Sequence, residues 1–256
     1  MKRTIRAWIS AIAVAASFTA LTPKTAAAED VDLLLVMAAD VSRSVDAAKF
    51  QLQRNGYAAA ITNPRVLKAI QSGPNGRIAV AFVEWSGVTA QKLIIDWTKI
   101  GDMKSGQDFA SQIVEAQRPF ADRTSISGGI EFAYAQLERS PFKAPRRTID
   151  ISGDGTNNSG RDVTLARDEV VAKGVTINGL VILSDRPIPW NPDHTNPPGG
   201  LTNYYRNNVI GGPGAFVIEA ENFEAFGQAI INKLIAEIAD LRGRQHARLP
   251  FLALPR

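Results

Sequence analysis

One stretch near the N-terminus, VDLLLVMAADVSRS at residues 31–44, joins a nearly unbroken apolar run to a group of polar side chains. An apolar run of this length, ended by polar residues, is typical of a strand that is buried on both faces of a parallel sheet. Similar runs recur further along the chain, at residues 77–85, 147–152, 175–183 and 215–220. The sequence therefore predicts a sheet made mostly of buried parallel strands.

Between the predicted strands, apolar residues recur at helical spacing. One such stripe covers residues 126–137, and another, at 223–241, predicts a C-terminal helix of about nineteen residues. Weaker helical patterns cover residues 45–61, 105–117 and 161–173. Residues 91–97 follow a Ser-Gly turn and are expected to form an antiparallel edge strand. This alternation predicts the α/β class, a doubly wound, mostly parallel six-stranded sheet with one antiparallel edge strand and helices on both faces.

The first 28 residues have the composition of a secretory signal peptide. Basic side chains come first, an apolar stretch follows from Ala7 to Leu21, and Ala26 and Ala28 fit a small-residue cleavage site. The apolar stretch is about fifteen residues long, whereas a membrane-spanning helix needs ~20. We therefore expect cleavage near Ala28–Glu29, a periplasmic or extracellular protein, and only transient contact with the membrane through the signal peptide. An uncleaved membrane anchor is the alternative.

The excess positive charge lies at the two ends of the chain. The formal net charge is +4, and the first 28 residues carry four basic side chains and no acidic one. The last fifteen residues carry four arginines and again no acid, which leaves 21 basic against 25 acidic residues in 29–241. Because binding to a phosphate backbone needs a concentrated basic surface, the sequence predicts no nucleic-acid partner. The chain divides into a signal peptide (1–28), one α/β domain (29–241) and a basic C-terminal tail (242–256).

Residues 184–214 interrupt the alternation of strands and helices. They hold six of the fourteen prolines, five glycines and five asparagines, with no helical or alternating pattern. An irregular loop of ~30 residues is uncommon in a compact domain unless it is functional or disordered. Since this insertion leaves the end of a predicted strand, it is expected to overhang the carboxyl edge of the sheet. Its large aromatic side chains either contact a partner or fold back as a small core; they are Trp190, Tyr204 and Tyr205.

Five side chains that can bind a cation lie at strand ends or helix starts. Asp40, Ser42 and Ser44 follow the first strand, Thr124 precedes a helical stripe, and Asp154 follows a later strand. Ser44 and Thr124 could instead cap the helices that follow them, and the other three could shape turns. All five are nevertheless expected at the same edge of one sheet, where α/β proteins bind ligands.

The five side chains offer only oxygen donors, and no histidine or cysteine lies near them in the sequence. Such donors suit a hard cation, so the sequence predicts Mg²⁺ or Mn²⁺. Two facing carboxylates would repel each other without a cation. Because serine and threonine hydroxyls are neutral, the ion would keep part of its positive charge and could still attract an anion.

The motif D-x-S-x-S at residues 40–44, followed by Thr124 and by the Asp154-Gly pair, resembles the metal-ion-dependent adhesion site (MIDAS) of von Willebrand factor type A domains. The resemblance covers roughly residues 29–241 and includes the order of strands and helices. It implies that the three hydroxyls touch the metal directly or through water and that the two aspartates hold it partly through water. It also implies that a carboxylate of a partner completes the shell.

Two features depart from the usual pattern of these domains. Gly153 stands before Asp154 where a threonine is more common, and the insertion at 184–214 is long where many such domains have a short connection. The glycine is still compatible with metal binding. Because of the long insertion, however, the ligand of a known domain of this type cannot simply be assigned to this chain. Among bacterial members, the likeness is to an uncharacterised secreted group.

Three functions stay open at this point. The leading hypothesis is a secreted or periplasmic metal-dependent protein-binding module, for adhesion or scaffolding, that captures an acidic group of an unidentified partner protein. A metal-assisted hydrolase, phosphoesterase or esterase, is the alternative, and a scaffold with an empty site is the third.

We predict that the protein is not an enzyme. The sequence has no cysteine, no G-x-S-x-G elbow and no glycine-rich phosphate loop. Its two histidines are His194 in the insertion and His246 in the tail. A Ser-His-Asp arrangement through His194 and Ser42 is conceivable, but a lone histidine in a loop is usually a solvated side chain.

Overall fold

A computed structural model of the protein describes residues 28–184, 188–189 and 191–246. Three of the sequence predictions therefore lie partly or wholly outside the described residues. They are the signal peptide, the aromatic side chain of Trp190 and the end of the C-terminal tail.

The described residues alternate strands and helices as the sequence predicts. The strands in chain order are β1 (Glu29–Asp30), β2 (Leu34–Asp40), β3 (Ile78–Trp85), β4 (Gln91–Ile100), β5 (Phe142–Lys143), β6 (Arg147–Gly153), β7 (Thr176–Ile182) and β8 (Val217–Ala220). The α-helices are α1 (Ala47–Ile61), α2 (Pro64–Gln71), α3 (Met103–Glu115), α4 (Ile126–Glu138), α5 (Val163–Ala172), α6 (Pro192–Thr195), α7 (Leu201–Tyr204) and α8 (Phe226–His246), and a π-helix covers Tyr205–Val209. In the described part of the chain, no helix combines the length and the apolar character needed to cross a membrane.

The main sheet has six strands in the order β4-β3-β2-β6-β7-β8. Neighbouring strands are parallel throughout, except that the edge strand β4 runs antiparallel to β3. This topology confirms the predicted doubly wound sheet with one antiparallel edge strand. A second, two-stranded parallel sheet of β1 and β5, which the sequence did not predict, holds the start of the domain.

Strand β2 explains why the apolar run in the sequence is continuous. Leu35 and Met37 pack on one side of the sheet, against α1, α2, α3 and α8, whereas Val36 and Ala38 pack on the other side, against α4 and α5. Because helices cover both faces, every residue of the strand has to be apolar until the chain leaves the sheet at Asp40.

The helical content departs from the prediction in three places. The sequence patterns do not predict helix α2, although Asn63 caps it through Arg65 N and Pro64 occupies its first turn. The insertion at 184–214 contains helical structure that the sequence does not predict, namely α6, α7 and the π-helix. Helix α8 runs to His246, five residues into the segment that the sequence assigns to the tail.

Candidate metal centre

The predicted site residues lie at the carboxyl edge of the two central strands. Asp40 is the last residue of β2, and Asp154 directly follows β6, which pairs with β2 in parallel register. Parallel strands end at the same edge, so the two aspartates face one another across neighbouring strands. Thr124 lies in the loop before α4, and that loop is tied to the Asp154 loop through Asn158.

The helix-cap explanation for Ser44 and Thr124 is wrong. Helix α1 is capped by Asp46, whose carboxylate accepts a hydrogen bond from Lys49 N at 2.9 Å. Helix α4 is capped by Ser125, whose hydroxyl accepts from Gly128 N at 3.2 Å. The helix starts therefore do not use the hydroxyls of Ser44 and Thr124.

A chain of short polar contacts joins the D-x-S-x-S motif to Asp154. The Asp40 carboxylate accepts a hydrogen bond from Ser42 N at 2.7 Å. Asp40 therefore shapes this turn, which is the alternative role that the sequence allowed for it. The hydroxyls of Ser42 and Ser44 lie 3.0 Å apart, and Ser44 Oγ donates to Asp154 Oδ1 at 2.5 Å. The structure therefore brings two hydroxyls and two carboxylates together at one point.

The two carboxylates are buried, and each keeps one oxygen without a partner. Asp40 is 0% and Asp154 1% exposed, and Asp40 Oδ2 and Asp154 Oδ2 have no hydrogen-bond partner among the described residues. Burial, together with the negative charge of Asp154, raises the pKa of Asp40 to about 8. Burial also raises the pKa of Asp154, although the hydrogen bond from Ser44 acts in the opposite direction.

These residues fit a divalent cation. A cation between the carboxylates would engage the two unpartnered oxygens and offset the cost of burying two like charges. Among the described residues, no group of three or more histidine, aspartate and glutamate side chains is arranged to hold a metal ion. The ion would therefore depend on the serine and threonine hydroxyls together with the two aspartates, and such an all-oxygen set suits Mg²⁺ or Mn²⁺.

His194 contradicts two sequence expectations. It is not a solvated loop side chain, because it is 5% exposed and its Nε2 lies 3.2 Å from Thr124 Oγ1. Its Nδ1 lies 3.2 Å from Thr156 Oγ1, and burial lowers the pKa of the imidazole. The statement that no histidine lies near the site holds for the sequence and fails for the fold.

The insertion overhangs the edge of the sheet that carries the site, as predicted. Thr156 N donates a hydrogen bond to His194 O at 2.9 Å, and Tyr204 Oη accepts one from Asn157 N at 3.1 Å. The imidazole of His194 also lies directly on Gly155, in the space that a Cβ atom would need. The loop after β6 and the insertion are therefore held together on the rim of the site.

Tyr205 does not have the exposure that a partner contact requires. Its side chain is 0% exposed and packs within the apolar core on the α4 side of the sheet. Tyr204 is half-buried with its hydroxyl bonded to the loop after β6, and Trp190 lies outside the described residues. For Tyr205, the prediction of a recognition surface gives way to the alternative, in which the aromatic residues fold back onto the sheet.

A cleft of about 520 Å³ opens beside Ser44 and Thr124, and we call it the front cleft. The residues that line it are Arg43, Ser44, Asp122, Arg123, Thr124, Asn158, Ile188, Asn191 and His194. Two of the predicted metal ligands, Ser44 and Thr124, therefore line this cleft; Ser44 is partly exposed, whereas Thr124 is buried.

The sheet order, the antiparallel edge strand and the polar group at the carboxyl edge define a von Willebrand factor type A-like domain. Similar solved structures include the pilus adhesin SpaC from Lactobacillus rhamnosus GG, with a TM-score of 0.58 and 12% identity over 84% of this chain and 32% of that chain. The proximal thread matrix protein 1 from the mussel byssus, with zinc in its MIDAS motif, has a TM-score of 0.55 and 16% identity over 84% of this chain and 48% of that chain. A von Willebrand factor type A protein from Catenulispora acidiphila has a TM-score of 0.51 and 11% identity over 83% of this chain and 43% of that chain.

The sequence also matches one protein family. Residues 30–242 match the family described as "Protein of unknown function (DUF1194)", and the chain belongs to that family. None of the curated proteins matches the sequence. The chain spans half or less of the length of the three solved proteins above, so at these identities the likeness establishes the fold alone.

Proposed function

We propose that this protein is a secreted or periplasmic binding domain that captures an acidic group of a partner protein through a divalent cation, Mg²⁺ or Mn²⁺. The cation would be held by Asp40, Ser42, Ser44, Thr124 and Asp154. The observation that carries the proposal is the pair of buried aspartates, each with one unpartnered oxygen, at the carboxyl edge of the sheet. When bound, the cation supplies a positive charge that neutral hydroxyls offset only in part, so it attracts an anion.

The front cleft has the charge expected of an entrance for a carboxylate. Arg43 and Arg123 both line it and are exposed, against one acidic residue, Asp122. The ion pair between Arg43 and Asp122 is 3.7 Å long and lies in solvent, where such pairs contribute little. The arginines can therefore turn to an incoming anion and steer it towards the site.

A binding role has more support than a hydrolytic one. The solved proteins of the same fold include a pilus adhesin and a byssus matrix protein, whose names describe attachment and structure. A serine nucleophile would need a histidine at its hydroxyl, yet Ser42 Oγ contacts Ser44 whereas His194 Nε2 contacts Thr124. These contacts favour a site that holds an ion over one that activates a serine.

Metal binding is tested by thermal unfolding of the mature protein with EDTA, Mg²⁺ or Mn²⁺. A ligand at 100 times its Kd stabilises the fold by ~2.7 kcal/mol, which corresponds to a rise in Tm of roughly 5–10 °C for a chain of this size. Ser44→Ala should lose most of this rise. Ser72→Ala, which removes an exposed serine hydroxyl at the end of α2, is the matched control and should keep it. An unchanged response of Ser44→Ala would contradict the assignment of the site.

Capture of a carboxylate is tested with acetate as the probe. If the cation attracts an anion, Mn²⁺ bound to the wild-type protein should shorten the relaxation time of the acetate methyl protons in NMR. The neutral isostere acetamide should be affected much less. Equal relaxation of both compounds would contradict a carboxylate-capturing site, even if the metal binds.

A further inference from the structure

Two glycines on neighbouring strands form a slot on the α4 side of the sheet, and the ring of Tyr205 lies in it. Gly153 ends β6, and Gly179 on β7 pairs with Ile151, two residues before Gly153, so both glycines face the same side. A Cβ atom on Gly179 would lie 3.2 Å from Tyr205 Cδ1, and one on Gly153 would lie 2.5 Å from Tyr205 Oη. The phenol therefore runs along the slot towards the carboxyl edge of the sheet.

The hydroxyl end of this ring reaches the candidate metal centre. The same Cβ position on Gly153 is 3.1 Å from Asp40 Oδ2, one of the two unpartnered carboxylate oxygens. Tyr205 Oη is itself buried and has no hydrogen-bond partner in the described part of the chain. Buried hydroxyls without a partner are rare because each lowers the stability of the fold by about 1–3 kcal/mol. An unpartnered hydroxyl at this position therefore indicates that an acceptor or a ligand binds it in another state of the protein.

The backbone around Tyr205 is also unusual. Tyr205 begins the π-helix, in which Ile210 N donates to Tyr205 O at 3.0 Å. Turns of the π-helix are rare, and those that exist are frequently found at functional sites. Here the turn directs the first side chain of the π-helix into the sheet, whereas the neighbouring Tyr204 points to the loop after β6.

We propose that Tyr205 is a positioning residue of the cation site: its hydroxyl donates a hydrogen bond to the Asp40 carboxylate when the cation is bound and thereby couples the insertion to the metal. The inference rests on the proposed function, since it assumes that the aspartates hold a cation. Tyr205 reaches the site along the α4 side of the sheet, through the space left by the glycine at position 153. The insertion thus contributes to the cation site from the core as well as from the rim.

The proposal is tested with Tyr205→Phe, which keeps the ring in the slot and removes only the hydroxyl. Loss of a group that orients a metal ligand typically weakens binding by 10–100-fold, so we expect the Kd for Mn²⁺ to rise about ten-fold or more. Without metal, the variant should be as stable as the wild type or more stable, because the hydroxyl it loses has no partner. A purely structural tyrosine would lower the Tm and leave the Kd unchanged.

Tyr57→Phe is the matched control, because Tyr57 is equally buried but its hydroxyl already bonds Ser152 Oγ at 2.8 Å. It should lower the Tm without changing the Kd for Mn²⁺. In hydrogen exchange, Mn²⁺ should protect the amides of residues 205–210 in the wild type and much less in Tyr205→Phe. If Tyr205→Phe binds Mn²⁺ within two-fold of the wild type, the role of Tyr205 is wrong while the metal site stands. If the wild type binds neither Mn²⁺ nor Mg²⁺, the proposed function is wrong, and this inference with it.

Discussion

Asp40 and Asp154, the proposed cation ligands, are expected to lower the stability of the protein when no metal is bound. Both carboxylates are buried at one edge of the sheet, and burial raises the pKa of each of them. In the absence of metal, ionisation of the two carboxylates therefore opposes folding. With a cation bound between them, the same ionisation would favour the folded state. Many ligand sites lower the stability of the free protein in this way, because the groups that bind the ligand are unfavourably placed when the ligand is absent.

Asp154→Asn should separate stability from metal binding. The amide keeps an oxygen that can accept the hydrogen bond from Ser44 and removes the cost of burying an ionisable carboxyl group. In EDTA at neutral pH, we expect the free energy of unfolding to rise by about 1–2 kcal/mol, or about 2–8 °C in Tm. The stabilisation by Mg²⁺ or Mn²⁺ should disappear, and both effects are read from thermal unfolding.

Asp108→Asn is the control for this substitution. Asp108 is exposed and pairs with Lys104 one helical turn away, so its loss should change the Tm by little and leave the metal response intact. A destabilised Asp154→Asn that still responds fully to metal would mean that Asp154 serves the fold rather than the ion.

The sequence could predict that five polar residues meet at one edge of the sheet, but not that His194 of the insertion lies beside them. Asp40, Ser42 and Ser44 lie within one turn, and the parallel strands β2 and β6 bring Asp154 to the same edge. Thr124 reaches this edge through the loop before α4, which bonds to Asn158. His194 instead meets Thr124 across 70 positions of sequence and Thr156 across 38. Contacts of this range leave no local pattern, and a segment rich in proline and glycine gives no periodicity from which a side chain's direction could be derived.

The strands were easier to predict than the helices for a physical reason. A central strand buried on both faces is apolar at every position, so its run is visible wherever it occurs. Helix α2 has eight residues and buries only Val66, Leu67 and Ile70, too few turns for a period to stand out. The usable indication was the Asn63-Pro64 pair, which joins a capping side chain to a residue favoured in the first helical turn.

The contact between the β6–α5 loop and the insertion can be measured by a double-mutant cycle. The His194 ring fills the space beside Gly155, so Gly155→Ala should overpack this contact and cost about 1–3 kcal/mol of unfolding free energy. In the His194→Ala background the space is open, and the same substitution should cost much less. Urea unfolding of the four proteins should give a coupling energy of about 0.5–3 kcal/mol.

Gly227→Ala provides the control for this cycle. Gly227 lies in α8, where an added Cβ would meet only the Cα of Gly56 at 3.6 Å, an ordinary contact. Its effect should be the same with and without His194→Ala. If the effects of Gly155→Ala and His194→Ala simply add, His194 does not anchor the insertion to this loop.

A buried group of charges ties the C-terminal helix to the sheet on the side away from the insertion. Lys233 and Glu237 on α8 and Asp150 on β6 are all 0% exposed. Lys233 Nζ lies 2.6 Å from Asp150 Oδ1 and 2.6 Å from Glu237 Oε1, and Asn178 donates to Glu237 at 2.8 Å. One ammonium group therefore serves two carboxylates, and burial, against the attraction of Lys233, raises the pKa of Asp150 to about 7.

We expect this arrangement to make the stability of the whole molecule depend on pH. Unfolded aspartate loses its proton near pH 4, whereas Asp150 in the folded protein keeps it to about pH 7, so the folded state binds the extra proton between these values. Stability is thus greatest below pH 4 for this group and falls as the pH rises to 7, by about 1.4 kcal/mol for each pH unit and proton.

Urea unfolding in EDTA at pH 5, 6, 7 and 8 should show this fall. Asp150→Asn, which leaves Lys233 and Glu237 as a balanced pair, should reduce the slope by one proton, while Asp108→Asn should leave it unchanged. An equal slope in wild type and Asp150→Asn would mean that Asp150 is already ionised at pH 5 and that Lys233 outweighs burial.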